Sequence, residues 1–151
     1  MKLHIVIDNI RSAYNVGSIF RTADGTGCAQ LYICGISPDK THSKVSKTAL
    51  GSTETVASNY FKTTTAAITE LKKKNIPIFA VELDPKAQDY REVEYPDELA
   101  LVFGHETDGI TGNIRKQCNK IISVPMHGKK ESLNVATVAG IVMYEAIRKV
   151  N

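Results

Sequence analysis

The chain has 151 residues, of which 42% are apolar and 23% charged, and its formal net charge is +3. That length holds one hydrophobic core of ordinary size and leaves no room for two independent enzymes. The composition excludes disorder and collagen, no apolar run approaches a membrane span, and the charge excess is too small for binding nucleic acid by electrostatics alone.

The opening Met1-Lys2-Leu3-His4-Ile5-Val6-Ile7-Asp8 is too short an apolar run, and too soon followed by an acid, for a signal peptide, so a cytoplasmic protein is expected. Residues 3–7 read as a strand. Asn15 then precedes a stripe of Val16, Ile19, Phe20 and Ala23, whose spacings of three and four predict a helix with Asn15 as N-cap. Residues 31–34 read as a second strand, 41–50 as a polar loop and short helix, and 56–61 as a third strand. A helix is expected from Thr64, with the stripe Ala67, Ile68 and Leu71, closed by Lys72, Lys73 and Lys74. Cations in a last turn complement the helix dipole, so the lysine triplet is read as structural.

The near-continuous apolar runs 76–83 and 99–103 suit strands buried on both faces. Thr111 caps a short helix to Cys118, 121–124 is a further strand, and a long helix runs from about Leu133 to Lys149 with Ser132 as N-cap. Alternating strands and helices predict an α/β domain over 1–151, with a mostly parallel sheet and helices on both faces. The last helix has its main stripe at Val135, Val138, Ala139, Val142 and Ala146, yet Ile141 and Tyr144 lie opposite. A second cover, such as a subunit partner, is expected there.

Net charge is distributed unevenly, at +2 over 1–61, −4 over 62–110 and +5 over 111–151. A basic final third is compatible with a polyanion on one face. Three cysteines (Cys28, Cys34, Cys118) without a C-x-x-C pair, and four scattered histidines, argue against a disulfide framework and predict no metal.

Ligands of open α/β sheets collect beyond the C-terminal strand ends, which directs attention to the loops after Ile7, Leu83, Phe103 and Val124. Familiar phosphate cradles are absent. Gly25-Thr26-Gly27 follows a helix and precedes a strand, the reverse of the dinucleotide order, and Gly104 to Gly109 is followed by Ile110-Thr111 where a phosphate loop needs Lys-Ser/Thr.

Arg21 lies six residues beyond Asn15, about 9 Å up a helix whose side chains lean back toward its start. Gly17, one turn earlier, removes the side chain over which Arg21 would lie, which lets its guanidinium reach the rim. The other reading is a surface arginine paired with Asp24 or Asp8. Ser132 and Asn134 are also good helix-start residues, and Glu106 is placed to accept backbone hydrogen bonds in a glycine-bounded turn. Their common location at one sheet edge is what points to a site.

Three segments in order, N-x-G-x-x-x-R-T-A (Asn15 to Ala23), G-x-E-x-x-G (Gly104 to Gly109) and P-M-x-G-x-x-x-S-L-N-V-A (Pro125 to Ala136), resemble the three motifs of the SpoU-type (TrmH-like) branch of the SPOUT RNA methyltransferases. The resemblance covers nearly the whole chain. It implies a ribose 2′-O-methyltransferase that uses S-adenosylmethionine on a structured RNA, a homodimer, and a C-terminal trefoil knot over about 99–151. It assigns Asn15, Arg21, Glu106, Ser132 and Asn134 to catalysis, and Val81, Glu82, Gly104, Val124, Met126, Leu133 and Asn134 to the cofactor. Arg11, Arg21, Lys129 and Lys130 would face RNA, with Lys40, Lys44, Lys47, Arg115 and Lys116 as further phosphate contacts or plain solvated surface. A compact dimer with little added surface suits transfer RNA rather than ribosomal RNA. The competing class is a non-catalytic RNA- or nucleotide-binding module of the same fold, against which the joint retention of the five catalytic-set residues speaks.

Overall fold

A computed structural model describes residues 1–148. The elements, in chain order, are β1 (Lys2–Asp8), α1 (Ala13–Thr26), β2 (Gln30–Cys34), α2 (Ser43–Ala49), α3 (Ser52–Thr55), β3 (Ser58–Phe61), α4 (Thr64–Lys73), β4 (Ile78–Val81), β5 (Gln88–Asp89), β6 (Glu98–Gly104), α5 (Gly112–Gln117), β7 (Lys120–Ser123) and α6 (Val135–Ile147). The strands form a seven-stranded sheet in the order β3-β2-β1-β6-β4-β7-β5, with every pair parallel.

Strand alternation sorts β1 onto two cores. Leu3, Ile5 and Ile7 pack with α1 residues Val16, Ile19 and Phe20 and with α6 residues Ala139, Val142 and Met143. Val6 points to the other face, where Ala67, Ile68 and Leu71 of α4 and Ile114 of α5 cover the sheet. Burial on both faces is what makes the central strands uniformly apolar.

Two helix starts differ from the sequence expectation. Ser12, not Asn15, caps α1, its side chain accepting from the Asn15 backbone N–H. The Asn15 amide is occupied elsewhere, in contacts with Glu106 and Asn134. Likewise Asn134, not Ser132, caps α6, accepting from the N–H groups of Ala136 and Thr137. Lys149, the expected end of that helix, lies outside the described residues. The one-turn helix α3 and the two-residue strand β5 are too short to leave a periodic signal.

Gly17 also has a different reason to be glycine. A Cβ there would meet Thr48 Cβ and the Val45 carbonyl oxygen at 2.7 Å, so the residue sets the close approach of α1 to α2 rather than clearing a path for Arg21. At the far edge, β7 lies between β4 and β5. Val81 and Gln88 both register with Ile122, and the Glu82 and Tyr90 N–H groups bond to the carbonyls of Ile122 and Ser123. The 82–87 connection therefore arches over the C-terminal end of β7, where the chain leaves the sheet toward α6.

Candidate active site

The C-terminal ends of β4, β6 and β7 and the start of α6 enclose a cavity of about 360 Å³. Its walls are Val81 at the end of β4 with Glu82 and Leu83 beyond it, Phe103 and Gly104 at the end of β6 with His105, Glu106, Thr107 and Gly109 beyond them, Val124 and Met126 after β7, Ser132 to Asn134 before α6, and Val135 and Val138 in its first turn. Two carboxylates, Glu82 and Glu106, line it, and among the described residues neither a lysine nor an arginine does.

The turn after β6 is tied at both ends. Gly104 packs so tightly that a Cβ would come within 2.7 Å of Gly109 C and Ile110 N. Gly109 has φ 64°, and any side chain on it would run into the Glu82 carboxylate. That carboxylate accepts from the N–H groups of Ile110 at 2.8 Å and Leu83 at 2.9 Å, binding the β4 and β6 loops to each other. His105 Nδ1 lies within hydrogen-bond reach of the Thr107 and Asp108 N–H groups, at 3.2 and 3.1 Å.

Glu106 joins this turn to the β1–α1 loop. Its oxygens accept from Arg11 N at 3.0 Å, Ser12 N at 2.9 Å and Asn15 Nδ2 at 3.1 Å. Burial pushes its carboxyl up, but the Ser12 and Arg11 N–H groups and the Asn15 amide outweigh this and hold it below its ordinary value. Asn15 Oδ1 in turn accepts from Asn134 Nδ2 at 3.1 Å, while Asn134 Oδ1 takes the Ala136 N–H at 2.9 Å and the Thr137 N–H at 3.2 Å. A continuous relay, Glu106 to Asn15 to Asn134, thus fastens three loops that are remote in sequence. Each amide has a forced orientation, because each uses its oxygen and its nitrogen on different partners.

Val81, Glu82, Gly104, Glu106, Val124, Met126, Ser132, Leu133 and Asn134 all line this one cavity, and Asn15 stands one hydrogen bond behind its wall. Arg21 does not line it. The side chain is exposed on α1 and makes no hydrogen bond or ion pair among the described residues. Neither acid expected as its partner is engaged with it: Asp24 accepts from Thr55 at 2.5 Å, and Asp8 accepts from Thr64 and Asn9. Arg11 reaches the site through its backbone N–H, and Lys129 and Lys130 are exposed on the loop before α6.

Gly109, expected with Gly104 and Gly128 to let a ligand approach the backbone, lines the cavity as Gly104 does, whereas Gly128 does not. Sequence reasoning missed Leu83, Phe103, His105, Thr107, Val135 and Val138 as pocket lining; they carry no pattern of their own. Asp8, at the end of β1, was also missed as a buried acid, 2% exposed. Burial holds its carboxyl above the ordinary value against hydrogen bonds from Thr64 and Asn9 and the nearby His105. Burial likewise pushes the Cys28 and Cys118 thiols up to about 11 and Cys34 to about 12, which leaves them protonated and unreactive at neutral pH. Among the described residues no cluster of three or more metal-binding side chains occurs, and no helix is long and apolar enough to cross a membrane.

Comparison with known proteins places this geometry. Residues 2–144 match the model of the SpoU rRNA Methylase family. The 23S rRNA (guanosine-2′-O-)-methyltransferase RlmB of Neisseria meningitidis is 34% identical over 149 residues, covering 97% of this chain and 58% of that protein. The chain thus spans about three fifths of the length of that relative. Among solved structures, one described as giving structural insights into the 2-OH methylation of C/U34 on tRNA has a TM-score of 0.88 at 25% identity, covering 99% of this chain and 96% of that one. The SpoU methyltransferase AviRb of Streptomyces viridochromogenes, in complex with AdoMet, has a TM-score of 0.91 at 24% identity over 99% of this chain and 60% of its own, a likeness of fold.

Proposed function

The chain belongs to the SpoU rRNA methylase family, and we propose that it transfers a methyl group from S-adenosylmethionine to a ribose 2′-hydroxyl of a structured RNA. The observation that carries this is the relay-fastened cavity, whose chemistry fits the cofactor. Its volume lies in the range of small-molecule sites, and apolar walls such as Val81, Phe103, Val124 and Leu133 suit a neutral purine. Two carboxylates, with no lysine or arginine beside them among the described residues, favour a positively charged sulfonium and disfavour a phosphate, which also speaks against a nucleotide-binding module. When bound, the cofactor supplies a methyl on sulfonium sulfur, open to in-line attack.

The chain's own contribution is placement. Glu82, Gly104, Val124, Met126 and Leu133 would hold the cofactor, and Asn134 would orient it or the attacking hydroxyl. Alignment of reactants is worth up to roughly 7–11 kcal/mol. Glu106 is an anchor for this arrangement rather than a base, because three donors hold it ionised. Arg21 is assigned to the phosphate beside the target and to the developing alkoxide, since a guanidinium surrenders its proton only at roughly pH 12 or above. Exposed and outside the cavity of its own chain, it fits a site completed by a second copy in a homodimer. Ser132 would act at the cavity mouth.

A trefoil knot over about 99–151, within this single domain, is supported by the 82–87 arch over the end of β7. Transfer RNA is favoured as substrate because the chain matches over nearly its whole length a protein described by methylation on tRNA.

Titration calorimetry with S-adenosylmethionine, followed by methyl transfer to transfer RNA with the 2′-O-methyl position mapped, tests the reading. Saturable heat and a ribose mark are expected. An RNA binder that gives no heat with the cofactor would be the non-catalytic module instead.

A further inference from the structure

We propose that Tyr14 and the lysine face of α2 form a track for single-stranded RNA leading to the cavity, with the Tyr14 ring as the stacking platform for a base flanking the methylated nucleotide. The inference rests on the RNA reading above and specifies where the strand runs. Tyr14 is 58% exposed although it sits in the first turn of a helix whose neighbouring positions Val16 and Gly17 are buried. Among the described residues it makes no hydrogen bond, so neither packing nor a polar partner explains an aromatic ring there.

Its position is fixed relative to the site. Two residues before it, the Ser12 N–H holds Glu106 at 2.9 Å, and the next residue, Asn15, is the middle of the relay. On the other side, the Lys44 ammonium stands 6.0 Å from the ring centroid. Lys47, one turn further along α2, and Lys40, before it, are both exposed, and α2 carries no acid. The nearest acid in sequence, Asp39, is held ionised by the Thr41 N–H and hydroxyl and faces Lys40, which leaves Lys44 and Lys47 as the principal cations beside the ring. An exposed ring flanked by cations is the arrangement that binds single strands, the ring taking a base face and the ammonium groups the phosphates.

The chain contains no tryptophan, so Tyr14→Trp creates a single reporter at the platform. Its emission is expected to fall on titration with transfer RNA, and Tyr14→Phe is expected to bind RNA close to wild type. Tyr14→Ala is expected to weaken RNA binding by about fivefold to about 150-fold, the span that about 1–3 kcal/mol per stacked base represents. Its heat of S-adenosylmethionine binding should persist, confirming a folded cavity. Lys44→Ala should lower the salt dependence of binding by about one unit of slope.

Wild-type affinity in Tyr14→Ala, or reporter emission indifferent to RNA, overturns the track and leaves the methyltransferase reading standing. Emission that changes with protein concentration alone assigns the ring to a contact between copies and overturns it as well. A wild-type chain that binds S-adenosylmethionine but no RNA overturns both.

Discussion

Asn134 performs two tasks with one amide, and they can be separated. Its oxygen caps α6 and its nitrogen donates to Asn15. Asn134→Ala removes both and should cost about 1 kcal/mol of stability, the usual loss of a cap. Asn134→Asp keeps an acceptor at the helix start, where negative charge is favourable, but turns a carboxylate toward the Asn15 oxygen. Its melting temperature should stay near wild type while methyl transfer falls by about fivefold or more, the value of one broken hydrogen bond of about 1 kcal/mol. Unchanged methyl transfer in Asn134→Asp, with the loss of stability confined to Asn134→Ala, would show that this residue has no role beyond capping. Asp8 gives a second prediction, in pH. Burial raises its carboxyl, so the folded chain keeps the proton over a window in which the unfolded chain has lost it. Stability from this group is therefore present in acid and declines as pH rises through the raised value. Both of its hydrogen bonds end on Oδ1, an acceptor that the amide introduced by Asp8→Asn retains. The Asp8→Asn variant should then be at least as stable as wild type at pH 7, and that advantage should shrink toward pH 4 in denaturant titrations.

At the scale of elements, α1 shows how far a pattern carries. The stripe Val16, Ile19, Phe20 and Ala23 is fully buried, because periodicity reports which face meets the core. The same pattern misplaces the helix start by three residues, since Ser12 and Asn15 are both competent caps and the choice depends on Glu106, 91 residues away from Asn15. In α6, too, Ser132 and Asn134 compete and a contact 119 residues distant engages the second. Loop residues of the three motifs are legible as a site because strand ends bring them to one edge, whereas His105 and Val138 enter the cavity wall through tertiary folding alone. At Gly17 the sequence points to the wrong neighbour, because nothing local reveals that α2 crosses there. Gly17→Ala tests the observed reason. Alanine improves helix propensity by about 1 kcal/mol, but overpacking against Thr48 and the Val45 backbone costs about 1–3 kcal/mol. A net loss of stability, up to about 2 kcal/mol, is expected in thermal unfolding; lost methyl transfer at unchanged stability would instead support a role in clearing the way for Arg21.

At the scale of the whole molecule, the arrangement leaves Arg21 and the cavity apart within one chain. The sheet edge collects every other proposed catalytic residue, and α1 carries the guanidinium away from them on an exposed face. The half-exposed Tyr144 on α6, whose hydroxyl lies 2.8 Å from where a Gly25 Cβ would stand, marks α1 and α6 as neighbouring helices with surface left to cover. A twofold dimer built on them would offer each cavity the Arg21 of its partner, since an isologous interface exchanges the same two contributions. Mixing distinguishes this from a site completed within one chain. Arg21→Ala and Asn134→Ala should each be nearly inactive alone. After co-refolding in equal amounts, shared sites predict recovery of about a quarter of wild-type transfer, because half of the dimers are mixed and each of those has one intact site. If Arg21 served the cavity of its own chain, every mixed dimer would hold two defective sites, and transfer in the mixture would stay at the level of the parents.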